Sequence, residues 1–286
     1  MSDSGAGRLA AYFARIGLTG PVGIDASTLI ALQRAHRLAI PFENFDIRLG
    51  REIRIDSDSV FDKLVACGRG GNCFEQNRLF ADMLAALHIP TRPLLARVRL
   101  GPPAADPPPR THVLLLADVA GAAWIADVGF GGSYVPALAL ADGSVAATDD
   151  GARHRLRRVG ERGSLAGEWL LERAGPYAST DGRAPPRDDW QPQYSFDLTD
   201  VAPADLEQAN HWTSTASSSR FTNLHIATIA SPGGFVSLVD RTLSVTGAPN
   251  EQTEIAGADA YRKLLAARFG IILSDAEVAA LPLFRD

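Results

Sequence analysis

The chain has 286 residues, of which 46% are hydrophobic and 21% charged, and its formal net charge is −5. This composition is ordinary for a globular protein of about one or two domains. No run of about 18 apolar residues occurs, so no transmembrane helix is expected, and the start lacks the basic and apolar parts of a signal peptide. The negative net charge argues against a nucleic-acid partner. We expect a cytoplasmic protein with neither a membrane nor a nucleic-acid partner.

From the N-terminus to about residue 90 the chain is predicted to be mainly helical. Apolar residues recur at helical spacing at Leu29, Leu32 and Ala35. Asp25 and Ser27 precede them, and either residue type can cap the first turn. A helix is therefore predicted to follow one of these two residues, with Asp25 or Ser27 as its N-cap.

A glycine-rich segment followed by an amphipathic helix places a cysteine at a helix start. The segment reads Arg69-Gly70-Gly71-Asn72-Cys73-Phe74-Glu75-Gln76-Asn77. Glycines disfavour helix before Asn72, a preferred N-cap residue, and helical periodicity follows at Leu79, Phe80, Met83, Leu84 and Leu87. A thiol at Cys73 would lie over unpaired N–H groups, which stabilise a thiolate. The competing interpretation is an unreactive core cysteine, a common role for this small apolar residue.

A predicted β-hairpin follows, with strands over residues 111–116 and 124–128 and a turn-forming segment at 118–121. If residue 117 pairs with residue 122, His112 falls directly opposite Asp127, and directly opposed side chains share a face. An imidazole and a carboxylate at that distance can share a hydrogen bond, which fixes the tautomer of the ring. Cys73, His112 and Asp127 would then supply the nucleophile, base and orienting group of an activated thiol.

The remaining segments predict a mixed fold. Short β-like runs separated by glycine and proline extend from about residue 92 to 200. A strand is predicted over 235–239 and a helix over 258–269 that ends at Gly270, while Ser274 and Glu277 form a capping box for a last helix. The six histidines combine with Cys67 and Cys73 in no zinc spacing, so no metal is expected. Two cysteines also cannot form a disulfide framework.

Several motifs in a fixed order resemble the arylamine N-acetyltransferase family. They are Arg34-Ala35-His36, Ile40-Pro41-Phe42-Glu43-Asn44, Arg69-Gly70-Gly71 before Cys73-Phe74-Glu75, Thr111-His112, and Asp127-Val128-Gly129-Phe130-Gly131-Gly132. Looser similarity runs through Asn210-His211-Trp212-Thr213-Ser214-Thr215 and Ser219-Arg220-Phe221. The resemblance covers nearly the whole chain. One departure is Asn72, where family members usually carry a bulkier and often aromatic residue.

The resemblance implies an α+β fold with a cysteine-protease-like Cys-His-Asp core. Its parts would be a helical region over 1–90 that carries the nucleophile, a β-barrel-like region over 91–200 that carries the base, and a C-terminal α/β lid over 201–286. The family's catalytic triad maps onto Cys73, His112 and Asp127. Phe42 and Phe130 would line the pocket of an aromatic acceptor. Two contacts with the coenzyme are implied at Thr111 and Gly131.

The implied activity is acetyl transfer from acetyl-coenzyme A to arylamines, arylhydroxylamines or hydrazines through an acetyl-Cys73 thioester, with ping-pong kinetics. Acetyl-coenzyme A would be a co-substrate, and no metal would take part. One alternative is a coenzyme-independent amide synthase or thiol hydrolase that uses the same triad. A second is a ligand-binding protein that keeps the fold without the chemistry. The sequence does not identify the physiological acceptor, the acyl chain length or the oligomeric state.

Overall fold

A computed structural model describes residues 3–20, 22–101, 106–183, 189–247 and 250–284. The α-helices in these ranges are α1 (Asp3–Ile16), α2 (Ala26–Ala39), α3 (Phe45–Arg48), α4 (Ser57–Phe61), α5 (Cys73–Ala86), α6 (Pro203–Thr215), α7 (Arg220–Asn223), α8 (Ala258–Leu264) and α9 (Asp275–Ala280). Single π-helical turns, Asp62–Ala66 and Leu265–Phe269, continue α4 and α8. Short 3₁₀ turns span Tyr177–Ser179 and Pro282–Phe284.

The strands form two antiparallel sheets. The larger sheet has the order β5-β4-β3-β2-β9-β8-β7-β6, and the smaller one has the order β1-β10-β11-β12-β13. Their bounds are β1 (Phe42–Glu43), β2 (Thr91–Val98), β3 (Arg110–Val119), β4 (Ala122–Ala126), β5 (Leu138–Ala139), β6 (Val145–Ala147), β7 (Arg153–Arg158), β8 (Trp169–Ala174), β9 (Gln191–Phe196), β10 (Ile226–Ser231), β11 (Gly234–Val239), β12 (Thr242–Thr246) and β13 (Glu251–Glu254). The expected α+β fold, with helices beside a barrel-like sheet and a cysteine-protease-like core, is confirmed.

Helix α5 lies in the middle of the N-terminal core. Its predicted apolar face is buried, since Leu79, Phe80, Met83 and Leu84 are each less than 5% exposed. This face joins one hydrophobic cluster with residues of α1, α2 and β3. Burial of four such side chains contributes roughly 6–12 kcal/mol. The core thereby fixes the helix whose first residue is Cys73.

The observed helix ends agree with those predicted from the sequence. Asp25 caps α2, because its carboxylate accepts a hydrogen bond from Thr28 N at 2.8 Å. Ser27, the other candidate, instead donates its hydroxyl to Asp25. The capping box of Ser274 and Glu277 is confirmed at the start of α9, and Gly270 ends the preceding helix in the left-handed region with φ 67°.

The predicted hairpin exists, but its predicted register is wrong. The observed pairs include Ala117 with Trp124 and Val119 with Ala122, a shift of two residues from the expected pairing. The turn is therefore only two residues long, Ala120 and Gly121, and both have positive φ, 53° and 84°. Positive φ at both positions is typical of a type I′ turn, whose twist matches the flanking strands. A two-residue shift preserves the face to which each side chain points.

Two buried histidines are expected to make the protein sensitive to acid. The pKa of His36 is lowered to about 3, chiefly by burial, and burial lowers the pKa of His154 well below its ordinary value. Both rings are therefore neutral in the folded chain and take up protons only on unfolding. Their contribution to the free energy of unfolding is complete above the unfolded-state pKa of about 6.5 and is lost as the pH drops below that value. For two protons the loss is about 2.7 kcal/mol per pH unit.

Urea unfolding between pH 5.5 and 4.5 would measure this slope. Both ring nitrogens of His154 lack a hydrogen-bond partner in the described structure, so His154→Leu should reduce the slope by about one proton, or about 1.4 kcal/mol per pH unit. Replacement of the exposed His211 with glutamine is the control and should leave the slope unchanged. An unaltered slope in His154→Leu would show that this ring does not contribute.

Candidate active site

Cys73 is the first residue of α5, as its sequence predicts. The Asn72 side chain accepts hydrogen bonds from Phe74 N at 2.9 Å and Glu75 N at 3.2 Å, and Glu75 Oε2 accepts one from Asn72 N at 2.8 Å. This capping box satisfies three backbone donors. The Cys73 side chain is buried, with Sγ 3.7 Å from Thr111 O. Asn72 thus acts as the helix cap, and its amide also reaches Asn210 in α6 at 3.4 Å.

Buried ion pairs anchor the loop before Cys73. Arg69 binds Glu43 at 2.6 Å, and Lys63 binds both Asp46 and Glu75 at 2.7 Å. Charge-assisted hydrogen bonds of this kind hold a loop more strongly than neutral ones. They connect the loop to β1, α3 and the first turn of α5, and so they fix the position of the thiol.

His112 and Asp127 meet directly in spite of the register error. His112 Nε2 lies 2.7 Å from Asp127 Oδ2, and both side chains are buried. Asp127 follows the last ladder residue of β4, so the two residues are not cross-strand partners. Because Nε2 faces the carboxylate, Nδ1 is the nitrogen left for the Cys73 side chain, with which the ring hydrogen-bonds. The structure therefore brings all three predicted residues together.

The electrostatic environment favours a charged imidazole. Burial by itself would lower the pKa of His112, but the Asp127 carboxylate and the Cys73 side chain raise it to about 10. Burial likewise opposes ionisation of Asp127, yet its contacts with His112, Asn77 and Gly129 N hold its pKa below the ordinary value. An imidazolium between a carboxylate and a thiol can stabilise a thiolate and later donate a proton.

Two buried amides hold Asp127 in place, and sequence reasoning missed both. Asn77 Nδ2 donates to Asp127 Oδ1 at 3.1 Å, and Asn77 Oδ1 accepts from Val128 N at 3.1 Å. Gln33 Oε1 accepts from the backbone N–H of Asp127 at 3.1 Å. Both could have been found in the sequence, because each is a polar residue on the buried face of a helix. A buried polar side chain needs a hydrogen-bond partner.

A cavity of about 180 Å³ opens beside Cys73. Every other predicted site residue except Asp127, which lies behind His112, lines it: Phe42, Thr111, His112, Phe130 and Gly131. The wall also includes residues for which no role was predicted, among them Trp212, Phe221, Asp181, Arg183 and Arg220. The cavity wall therefore combines aromatic rings with charged side chains.

Aromatic rings build the part of the cavity near Cys73. The ring centroids of Phe42 and Phe221 are 5.5 Å apart, and those of Phe130 and His112 are 5.1 Å apart. Tyr194 completes a three-ring cluster, since its ring centroid lies 5.0 Å from that of His112 and 5.1 Å from that of Phe130. Such walls suit a flat aromatic ligand, since rings at these distances interact favourably in tilted and edge-to-face arrangements.

Gly129 is expected to be intolerant of a side chain. A Cβ at this position would lie 2.7 Å from Cys73 Cα and 2.9 Å from Cys73 O, so the backbone that carries the thiol would have to move. We expect Gly129→Ala to cost about 1–3 kcal/mol of unfolding free energy and about 10- to 100-fold in kcat/KM. The control is Gly7→Ala in α1, where a Cβ meets nothing within 4 Å. Native activity in Gly129→Ala would contradict the assigned contact.

Two further kinds of site are not formed by the described residues. In that part of the chain, no three His, Cys, Asp or Glu side chains are grouped so that they could hold a metal ion. None of its helices is both long and apolar enough to cross a membrane.

Comparisons with known proteins agree with the motifs. A family model described as N-acetyltransferase matches residues 25–278. The arylamine N-acetyltransferase of Escherichia coli strain K12 is 34% identical over 269 residues, which cover 93% of this chain and 89% of that protein. The arylamine N-acetyltransferase structure from Salmonella typhimurium has a TM-score of 0.85 at 32% identity, with 96% of this chain and 97% of that chain covered. The Mycobacterium marinum enzyme in complex with CoA has a TM-score of 0.83 at 30% identity, with 96% and 98% covered. The chain belongs to the arylamine N-acetyltransferase family and is an acyltransferase.

Proposed function

We propose that this enzyme transfers the acetyl group of acetyl-coenzyme A to the nitrogen or oxygen of arylamines, arylhydroxylamines and hydrazines. The observation that carries the proposal is the position of Cys73, buried beside His112 on the wall of an aromatic cavity. The likeness to a solved relative in complex with CoA supports the choice of coenzyme. Cys73, His112 and Asp127 are the catalytic residues in this proposal.

In the first half-reaction, the Cys73 thiolate attacks the acetyl carbonyl and a Sγ–C bond forms. Collapse of the tetrahedral intermediate breaks the bond between the acetyl carbon and the coenzyme sulfur, and His112 donates its proton to the departing thiolate. The backbone N–H of Cys73, at the positive end of α5, is the candidate donor to the oxyanion. Acetyl-Cys73, neutral His112 and free coenzyme A are the products of this half-reaction.

In the second half-reaction, the amine attacks the carbonyl of acetyl-Cys73. Neutral His112 accepts the proton that the nitrogen loses, the C–Sγ bond breaks, and the imidazolium–thiolate pair returns. Asp127 stays ionised throughout and stabilises the imidazolium. General acid–base assistance from His112 contributes roughly 10²- to 10⁴-fold in each half-reaction.

The surrounding residues have separate proposed roles. Phe42 and Phe130 form the walls against which the aryl group packs, while Thr111 and Gly131 contact the coenzyme. Gly131 suits such a contact because it leaves the backbone open, and a Cβ there would lie 2.8 Å from the Phe42 ring. This assignment keeps the acceptor beside the thiol while the coenzyme approaches along β3.

We also propose three functional regions along the chain. Residues 1–90 supply the nucleophile from α5, residues 91–200 supply His112 and Asp127 from the barrel-like sheet, and residues 201–286 form a lid. The contribution of Phe221 to the cavity wall supports the last assignment. The reaction needs a free thiol, which supports a reducing compartment such as the cytoplasm as its location.

Initial-rate kinetics test the proposed function. Coenzyme A must leave before the amine reacts, so double-reciprocal plots with varied acetyl-coenzyme A and a panel of arylamines should be parallel. Continuous thiol release should require both substrates. A coenzyme-independent amide synthase or thiol hydrolase would release no coenzyme A with any acceptor. A binding protein without chemistry would also show no thiol reactivity above background.

A further inference from the structure

Asn72, where this chain departs from its family, has a second contact besides the helix cap. Its Oδ1 accepts hydrogen bonds from Phe74 N and Glu75 N, so its amide nitrogen points away from α5. That nitrogen lies 3.4 Å from Asn210 Oδ1 in α6. Both asparagines are buried, at 0% and 5% exposure, so each amide needs a partner within the protein.

The orientation of the Asn210 amide is fixed from its other side. Asn210 Nδ2 donates to Ile53 O at 2.8 Å, in the segment between α3 and α4. An amide side chain donates only through its nitrogen, so Oδ1 is the atom left to accept from Asn72. The two asparagines therefore link the start of α5 through α6 to the backbone at residue 53.

Helix α6 has little apolar anchorage. The structure describes the whole of this helix, and only Asn210 and Thr213 are buried in it. The Thr213 hydroxyl donates to Ala209 O within the same helix, while Leu206 and Ala209 are only partly buried against the neighbouring hydrophobic cluster. Elements with few buried apolar contacts open at a low free energy. The hydrogen bonds of Asn210 are therefore a substantial part of what holds α6 in place.

Helix α6 supplies part of the cavity wall. Trp212 and Thr213, on the same turn as Asn210, line the cavity beside Cys73. Trp212 is 39% exposed, so it lies at the mouth. The cavity volume of about 180 Å³ is smaller than the roughly 300–1,000 Å³ of pockets that hold drug-sized ligands, so most of a coenzyme A molecule must lie at or beyond the mouth. The position of α6 should therefore affect the coenzyme more than a small acceptor.

We propose that Asn72 is a positioning residue for the coenzyme half-reaction, because it holds α6, and with it Trp212, at the mouth of the cavity through Asn210. The inference rests on the proposed function, since it concerns the acetyl donor of that reaction. Neither asparagine lines the cavity, so their effect passes through α6. An aromatic residue at position 72 could not both cap α5 and donate this hydrogen bond. Loss of the contact should weaken productive binding of acetyl-coenzyme A and spare the reactivity of Cys73.

The test compares kcat/KM for acetyl-coenzyme A with kcat/KM for para-nitrophenyl acetate, a small donor that can acetylate Cys73 without a coenzyme portion. Asn72→Ser keeps a preferred N-cap residue and, with Glu75, a capping box, but its side chain is too short to reach Asn210. We expect this variant to lower the ratio of the two values by about 3- to 10-fold, the usual effect of one neutral hydrogen bond. Its kcat/KM for the small donor should stay within about 2-fold of wild type.

Ser214→Ala is the matched control. Ser214 Oγ lies at the same distance from Asn210 Oδ1, 3.4 Å, but both residues belong to α6, so this bond does not connect the helix to α5. The ratio should therefore be unchanged in Ser214→Ala. Asn210→Ala should lower the ratio at least as much as Asn72→Ser does. The double variant should match Asn210→Ala alone, because the second change then removes no further contact.

Three results would overturn the proposal. They are a ratio within about 2-fold of wild type in both single variants, an equal fall in Ser214→Ala, and independent, additive effects of the two asparagines. Asn210→Ala leaves the cap of α5 intact, so it provides the same test if Asn72→Ser folds poorly. Turnover of acetyl-coenzyme A by the wild-type enzyme tests the proposed function separately, and it should be found whatever the variants show.

Discussion

Replacement of Cys73 with alanine is expected to abolish acetyl transfer, with a loss of about 10⁵-fold or more. No other described side chain on the cavity wall offers a thiolate, so both half-reactions lose their covalent intermediate. The fold should survive, because the change removes one sulfur atom at a helix start whose cap belongs to Asn72 and Glu75. We expect a stability loss of about 1–2 kcal/mol. Steady-state thiol release and thermal unfolding together measure the two effects.

The chain offers a matched control for this variant. Cys67 is its other free cysteine and is exposed, so Cys67→Ala should retain native activity. Cys73→Ser is a second comparison, since a hydroxyl has nearly the shape of the thiol but is a much weaker nucleophile at neutral pH. If Cys73→Ala keeps more than about 1% of the wild-type rate, covalent catalysis by this residue is wrong.

Asp127→Asn is expected to lower kcat by about 10³- to 10⁴-fold while the fold is kept. Oδ1 of Asp127 already accepts hydrogen bonds from Asn77 Nδ2 at 3.1 Å and Gly129 N at 2.9 Å. An asparagine oxygen would keep that position, so its NH₂ group would face His112 Nε2. His112 would then carry its proton on Nδ1, the nitrogen toward Cys73, and could no longer accept one from the thiol or the amine.

A second His–Asp pair supplies the control. His225 Nδ1 lies 3.0 Å from Asp240 Oδ1, and neither residue lines the cavity. Asp240→Asn should therefore keep activity with a neutral acceptor within about 2-fold, as expected for a change away from the reacting groups. Near-native activity in a folded Asp127→Asn variant would mean that His112 does not need the carboxylate.

The start of α5 was predictable because its determinants are local. Asn72, Glu75 and the apolar repeat that follows lie within a few residues of Cys73, and each contributes a propensity or a hydrogen bond that the sequence displays directly. The same is true of the cap at Asp25 and the helix end at Gly270. These features can be predicted without knowing which distant segments pack against them.

The register of the β3–β4 hairpin depends on which residues form the turn, and composition alone did not determine them. The segment 118–121 has the turn-forming residues Asp118 and Gly121, but the turn itself starts at Ala120, an alanine with φ 53°. Asp118 instead stays in β3 and accepts a hydrogen bond from Gly121 N at 2.8 Å. His112 and Asp127 still meet because an even shift keeps both side chains on one face.

The far wall of the cavity could not be derived from local patterns. Phe221, Arg220 and Trp212 are about 100 residues or more from Thr111 in sequence, yet they line the same cavity. Their position depends on packing between the C-terminal region and the barrel-like sheet, which periodicity does not encode. The motif Ser219-Arg220-Phe221 was visible in the sequence, but its role became apparent only with the cavity.

The most direct test of the account is the mass of the protein after incubation with acetyl-coenzyme A alone. One acetyl group, an increase of about 42 Da, should be found on the peptide that contains Cys73, and an arylamine should then remove it. The Cys67 thiol and the Cys73→Ala variant should stay unmodified. The absence of an adduct on Cys73, together with intersecting kinetic lines, would mean direct transfer in a ternary complex and would contradict the thioester mechanism.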